Sequence, residues 1–508
     1  IFGHGNFQRL VMVCTTLSIF VSRSHTIAIA VLARPVEHWC KPPPHLADTP
    51  ADVWKNQSIP VEADGSFSSC TRYEPPTESR NVTGNRSVVL CDAWDYNLTT
   101  AGQSIVSEWN LVCDKQWLVT LQPVAFFGGA VTTGVTGYVG DHIGRKPVLV
   151  GALLVLVASG TAITFVHTVA LFTTCRFLTA ASSITLMNMA AVLLFEVTDS
   201  AHRVFFCTSA VSFVTVVLPF FELLMHTVIR HWVVAQVVLM GPTVLLILTS
   251  YVIEESPCWL LAMCDLEATE RVALSAAKVN GVPADVVKDK MNKIKHELLR
   301  RGCVQTGGKR SGPFDFVRNT ALRCRAVTMF ACLFMLLLHF DDTNRSKTLT
   351  SSSTVRITYD VGNLPVPIVV MFVLHRLSRR RILCVTMLLS SLLIGLHAYL
   401  LQQQDDSFLM DTTVILTALL TNTGLMTAFV YMTEIFPTVL RAMGFSLCII
   451  FGRLGVMLSP FIGAPDPRID RLLALTLSSA AFLLIGVAAL WLPETKDIRA
   501  TNTLREAE

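Results

Sequence analysis

Apolar runs of about twenty residues recur along this chain, separated by polar connections. Twenty residues at 1.5 Å rise match a hydrocarbon core about 30 Å thick, so each run is expected to cross a bilayer as a helix. Twelve spans are predicted, near 9–33, 117–138, 147–168, 170–194, 204–229, 232–253, 326–340, 357–374, 382–401, 412–432, 442–463 and 471–492. The seventh is the weakest, because Ala326–Phe340 falls short of a full crossing before the polar stretch DDTNRSKTLTSSST. No region alternates polar and apolar residues in the manner of a membrane barrel. The pattern therefore predicts an all-α polytopic membrane protein.

Composition agrees. The 508 residues are 52% hydrophobic and 15% charged, against about 25% charged in soluble domains. The net charge of +4 points to no partner, nucleic acid included, since cytoplasmic loops collect Lys and Arg in any case. Where the charge sits says more. The 253–325 connection carries thirteen Lys and Arg, among them Lys288, Lys290, Lys293, Lys295, Arg300 and Arg301, and HRLSRRR (375–381) adds four more. With twelve spans both connections lie on one side, which the positive-inside rule makes cytoplasmic. Both termini are then cytoplasmic and the connection 34–116 is extracellular. No cleavable signal peptide is visible; the chain opens at Ile1 rather than at a methionine, so a preceding piece is expected.

The 34–116 connection supports that orientation independently. It holds the glycosylation sequons at Asn56, Asn81, Asn85 and Asn97, and a fifth at Asn344 also falls on the outer side. Cys40, Cys70, Cys91 and Cys113 make an even set in an oxidising compartment, so two disulfides are expected, with three connectivities open. The other ten cysteines are expected to be small hydrophobes in helices or reduced thiols. No CxxC or HExxH stretch occurs, so no metal is expected. The chain has no Walker motif, no GxSxG elbow and no conspicuous carboxylate pair, so neither a cofactor nor enzymatic chemistry is expected.

The chain also repeats itself. FEVTDSAHR places Glu196 seven residues before Arg203, and TEIFPTVLR places Glu434 seven before Arg441, at an offset of 238. GDHIGRK and HRLSRRR match Arg145-Lys146 to Arg379-Arg380 at 234, and EESP and LPETK match Glu255 to Glu494 at 239. A charged residue after a helix is ordinarily a solvated cap. A shared offset in one order instead means two parallel six-helix halves, 1–253 and 326–508, joined by a cytoplasmic linker at 254–325. Acids beside helix N-termini and forked Arg–carboxylate pairs are good latch chemistry. Glu196/Arg203 and Glu434/Arg441, with Asp141, Gly144 and Arg145, are therefore expected to latch the cytoplasmic ends, and Glu255, Glu494 and Arg176 are further gating candidates.

SIVSEWNLVCD (104–114), GYVGDHIGRKPVL (137–149), CRFLT (175–179), ESPCWLL (255–261), EIFPTVLRAMG (434–444) and LPETK, with FQRL and HWC, resemble the organic ion transporter family of the major facilitator superfamily. Sugar porters share some of these motifs but lack the long cysteine-bearing first loop and the EWNLVCD approach. The resemblance implies a monomeric plasma-membrane carrier of drug-sized organic ions. It would work by alternating access, alone or with a co-transported or exchanged ion. Departures gather in the second half. His375 stands where the family has Asp, Ser378 where it has Gly, Cys258 where it has Arg, Leu338-His339 where it has two tyrosines, and Asn363 where it has an acid. They motivate an alternative, a transport-deficient relative acting as a cell-surface receptor or scaffold through its outer loop.

Polar residues at membrane depth are the substrate candidates. The first span offers Ser22, Arg23, His25 and Thr26, the fifth Glu222, and the tenth Leu425 and Phe429. Packing or core hydrogen bonding is the plain alternative for His25 and Phe429. Arg453 lies inside the apolar run CIIFGRLGV, where a charge costs at least about 2.5–3.5 kcal/mol. It is either a structural partner for Glu222 or a helix end, or the charge that meets substrate. The resemblance favours the second, since the family's anion and carnitine carriers have Arg there and its cation carriers an acid. Guanidinium offers forked donors to a carboxylate, so organic anions or carboxylate-bearing zwitterions such as carnitine are expected, with organic cations still open.

Overall fold

A computed structural model describes residues 5–62, 65–74, 87–199, 201–251, 253–300, 312–349, 361–403, 408–459 and 469–496. Asn81 and Asn85 lie outside them. The long helices are α1 (Asn6–Leu32), α2 (Trp117–Ile143), α3 (Arg145–Ala162), α4 (Val169–Val197), α5 (Arg203–Val228) and α6 (Trp232–Ser250), then α7 (Leu266–Asn280) and α8 (Ala284–Arg300). They continue with α9 (Thr320–Leu349), α10 (Val366–Arg376), α11 (Arg379–Gln403), α12 (Phe408–Ile435), α13 (Arg441–Leu458) and α14 (Ile469–Ala488). Among the described residues ten helices are long and apolar enough to cross a membrane. The second and eighth expected spans coincide with α2 and with α10, which is only 11 residues long.

Hydroxyl side chains survive inside these apolar helices by donating to their own backbone, as Thr26 does to the Ser22 carbonyl and Thr427 to that of Thr423, both at 2.8 Å. Pro219 and Pro242 stand inside α5 and α6 without ending them. The seventh span is not short. Its helix begins at Thr320 and continues to Leu349 through the polar stretch expected to end it. Arg323 and Arg325 in its first turns are long enough to carry their charge away from an apolar surface. Asn344 therefore stands in a helix rather than in a loop.

Within each half, neighbouring helices pack along their lengths: α4 against α1, α2 and α3, and α11 against α12 and α14. Between the halves, α2 crosses α13 closely. A Cβ on Gly137 would lie 2.8 Å from the Ala442 carbonyl, so only glycine allows that approach. The other crossing, α5 against α10, is filled by Val204, Val366, Val370 and Leu374. α7 and α8 pack on each other through Ala273, Ala277, Val287 and Met291.

The segment between α1 and α2 folds into short helices and two antiparallel ribbons, β1 (His38–Cys40) with β4 (Trp94–Tyr96) and β2 (Thr71–Glu74) with β3 (Ser87–Leu90). Cys40 pairs with Cys91 and Cys70 with Cys113, which settles the connectivity. Trp54 is buried at its centre and donates to the Cys40 carbonyl at 2.7 Å. Asn97 accepts from the Thr99 amide and donates to Glu37, whereas Asn56 is exposed. Of the remaining cysteines, eight are free thiols among the described residues; Cys264 is disulfide-bonded, against expectation.

Replacing Cys70 and Cys113 together by Ser opens a loop closed over a sequence separation of 43 and is expected to cost about 4 kcal/mol by chain entropy. Limited proteolysis should then cut within 33–116 while leaving the helices intact. Unchanged protection would show that the ribbons hold without this bridge.

Candidate functional site

The chain turns sharply between α2 and α3 at Gly144, whose φ of +112° suits only glycine; a Cβ there would meet Glu255 Oε2 at 2.3 Å. The turn presents the first amides of α3 to Glu255. Its Oε1 accepts from the Arg145 amide at 2.9 Å and its Oε2 from that of Lys146 at 3.1 Å. A carboxylate is favoured at this positive helix end. Burial nevertheless pushes the Glu255 carboxyl above its ordinary range, with the backbone donors opposing.

The Arg145 side chain turns inward. Its Nε lies 3.1 Å from Glu196 Oε2 and its Nη2 3.0 Å from Asp141 Oδ1, while Nη1 donates to the Gly140 carbonyl at 2.9 Å. The second half closes on this cluster. Arg441 Nη1 donates to Glu196 Oε1 at 2.7 Å, and Arg145 Nη2 donates to the Thr438 carbonyl at 2.8 Å. Asp141 in turn accepts from the amides of Ala442 and Met443 at 3.2 and 2.9 Å, which caps α13. Two carboxylates and two guanidiniums are thus balanced, none more than 3% exposed. Trp259 Nε1 and Cys258 Sγ donate to the carbonyls of Asp141 and Glu196, so Cys258 fills its place without a charge.

The expected pairs were different, and the structure corrects them. Glu196 bonds Arg145 and Arg441 rather than Arg203, because α4 ends at Val197 and Arg203 opens a new helix. Arg203 lies 4.0 Å over the Phe195 ring and donates to the Thr198 carbonyl. Glu434 pairs with Arg379, at 3.3 Å, rather than with Arg441. Arg379–Glu434 is therefore the repeat counterpart of Arg145–Glu196, a partnership visible in the shared offset but not read from it. Glu494 accepts from its own neighbours, Thr495 and Lys496, and caps no helix across the cluster. Arg176 is remote, about 30 Å up α4 at 1.5 Å per residue, and donates to the His25 carbonyl at 2.9 Å.

Next to the cluster a central cavity of about 700 Å³ opens between the halves. α1 contributes Thr15, Ile19 and Arg23, α4 Met187, Ala191 and Leu194, and α5 Cys207, Thr208 and Val211. From the second half come Met426, Phe429, Val430 and Thr433 of α12 and Phe445 of α13. The wall is apolar except for a few small polar groups and one charge, Arg23. Of the sequence candidates, Arg23 and Phe429 line it. Ser22 and His25 are buried in helix contacts, because one or two residues along α1 rotate the side chain by about 100–200°. Leu425 is buried one position away from the lining stripe. Asn363 accepts from Asn422 at 3.1 Å, and neither Thr26 nor Glu222 reaches the wall. Arg453 does not line the cavity either; Arg23 and Asp341 are among the charges that act on it. His339 faces a second, smaller cavity inside the second half, with Asp342, His397 and Arg471, so the missing tyrosine pair takes no surface from the central one.

The unpredicted wall residues follow i, i+4 stripes, Thr15-Ile19-Arg23 and Met426-Val430, that a helical wheel shows but cannot assign to a cavity before the neighbouring helices are known.

Residues 96–497 match the family described as sugar (and other) transporter. The mouse solute carrier family 22 member 7 is 26% identical, covering 100% of this chain and 95% of that protein. The β-alanine transporter of Drosophila melanogaster is 25% identical, over 99% and 87%. Among solved structures, the proton:xylose symporter XylE bound to 6-bromo-6-deoxy-D-glucose shares the fold with a TM-score of 0.65 at 15% identity, over 97% of this chain and 98% of that one. The chain belongs to the sugar (and other) transporter family of the major facilitator superfamily. Its relatives in solute carrier family 22 bear out the resemblance to the organic ion branch. It is a multi-pass membrane transporter rather than an enzyme, with small-molecule substrates.

Glu196→Gln removes the carboxylate that both arginines share, leaving Arg145 with Asp141 and stranding Arg441 as a buried cation, at a cost of about 3–5 kcal/mol to the closed cluster. Cys207 supplies the readout, since it lines the adjoining cavity. With the other free thiols replaced, its labelling by a maleimide should accelerate severalfold in Glu196→Gln. An unchanged rate would show that the cluster does not gate this end of the cavity.

Proposed function

We propose that this protein carries small organic anions or carboxylate-bearing zwitterions across the plasma membrane by alternating access. The observation that supports this most is Arg23, the one charged side chain among the described residues that line a largely apolar central cavity. An apolar wall accepts the organic body of a substrate, and a guanidinium offers forked donors to its carboxylate. Arg453, itself acted on by Asp341, adds positive potential from behind the wall. The β-alanine transporter among the relatives is named for a substrate of this chemistry.

In this reading twelve spans form two six-helix bodies, 1–253 and 326–508, joined by the cytoplasmic linker 254–325. Both termini are cytoplasmic, the disulfide-bonded segment 34–116 is extracellular, and Asn56 is its most accessible glycosylation site. The buried cluster of Asp141, Arg145, Glu196 and Arg441 then closes the cytoplasmic end, and its opening releases substrate inward. The protein works as a monomer, driven by the substrate gradient or by an exchanged or co-transported ion.

The test is uptake of labelled carnitine, β-alanine, a dicarboxylate and tetraethylammonium by cells in which surface delivery is verified. At least one carboxylate should accumulate, and Arg23→Gln should lower its apparent affinity tenfold or more, with Arg453→Asp abolishing uptake. Transport of tetraethylammonium alone would overturn the anion reading. Flat uptake of all four would favour a receptor acting through the outer segment.

A further inference from the structure

The repeat that builds the two halves should build two equivalent latches between them. At an offset of 234, Asp141 corresponds to His375, and at 238, Ala442 and Met443 correspond to Val204 and Phe205. In the α2–α13 seam the Asp141 carboxylate accepts from the amides of Ala442 and Met443, tying the first half to the N-terminus of α13. The equivalent bond in the α5–α10 seam would run from residue 375 to the amides of Val204 and Phe205. Residue 375 is an exposed histidine, and among the described residues no side chain accepts from either amide. α5 is the only one of the two helices left without a cross-half cap.

The seams differ in the rest of their chemistry too. The α2–α13 seam adds Arg441–Glu196 at 2.7 Å, Arg145 to the Thr438 carbonyl at 2.8 Å, and Asn188 to Ser446 at 3.3 Å. In the α5–α10 seam Arg379 bonds within its own half, to Glu434 and to the Leu374 carbonyl. Across it lie the apolar cluster around Val204, Val370 and Leu374, a 3.8 Å approach of Ser209 Oγ to Met371 Sδ, and the attraction of Arg203 to Glu434, which act on each other from beyond ion-pair distance, unlike their counterparts Arg441 and Glu196. Apolar contact in a bilayer competes with lipid tails that are equally apolar, so it opposes separation less than buried charge-assisted bonds do.

We propose that the gate is latched on one side only: the α2–α13 seam holds, and the α5–α10 seam, with His375 in place of a capping carboxylate, parts first. The cavity opens along α5 and α10, beside Cys207 and Val211 of its wall. His375→Asp would restore the second latch and slow that opening.

The test needs no substrate, so it stands or falls apart from the transport reading. Hydrogen–deuterium exchange of the full chain in lipid nanodiscs, resolved by fragmentation to single amides, compares residues 204–205 with 442–443. Exchange should be at least tenfold faster at 204–205 in the wild type. His375→Asp should slow it tenfold or more without changing 442–443, and Asp141→Asn should bring 442–443 up to the rate of 204–205. Equal wild-type rates in the two seams would overturn the proposal. So would a monodisperse His375→Asp variant whose 204–205 exchange is unchanged.

Discussion

One carboxylate carries the contact between the halves. Glu196 sits at the end of α4, 3% exposed, and holds Arg145 from its own half and Arg441 from the other. Without it Arg441 would be a buried cation with no carboxylate, and Arg145 would keep only Asp141. An uncompensated buried charge costs several kcal/mol, whereas a balanced and hydrogen-bonded set is close to neutral. Such a bond contributes little net stability, but it is sensitive to geometry. A small separation of the halves readmits water, frees Arg441 from Glu196 and breaks the Arg145 bond to the Thr438 carbonyl. That is the behaviour required of a gate, and a better-packed apolar substitute would be a worse one.

The surroundings follow from that requirement. The corner at Gly144 brings Arg145 to Glu196, and Glu255 fixes the corner by accepting the first two amides of α3. Gly137 lets α13 approach closely enough for Asp141 to reach its first amides. The cavity can then be almost entirely apolar, because the polar work of holding the halves together is done below it. Among the described residues of that wall Arg23 is the one charge, and it is there that the proposed anionic substrate would be met.

Much of this was legible in the chain. The apolar runs located most of the helices to within a few residues, and the repeat singled out Asp141, Arg145, Glu196 and Arg441, although it set Arg203 and Glu434 beside them in the same group. What failed was pairing. Sequence spacing suggested that Glu196 would bond Arg203, seven residues on, and it could not show that the change of helix between Val197 and Arg203 leaves Arg203 over the Phe195 ring instead. Depth was readable for Ser22, Arg23, His25, Thr26 and Arg453, but rotation was not, since period 3.6 shows which residues share a stripe and not which stripe meets the cavity. The seventh span failed for another reason. Charged residues at 341–345 look like a stop, yet a helix satisfies its own backbone and continues through them where tertiary packing holds it.

The departures noted in the second half can now be separated by what each one touches. Cys258 replaces an arginine and still bonds the Glu196 carbonyl, so the cluster keeps its charge balance without it. Leu338 and His339 lie away from the central cavity, His339 on the smaller one. Asn363 is bonded to Asn422. None of these three changes removes a group from the cluster or from the cavity wall. His375 is different, because its counterpart Asp141 supplies a bond between the halves that an exposed imidazole does not reproduce. The substitutions that looked in sequence like decay of a binding site fall mostly outside it, and the one that alters mechanics alters the balance between two seams.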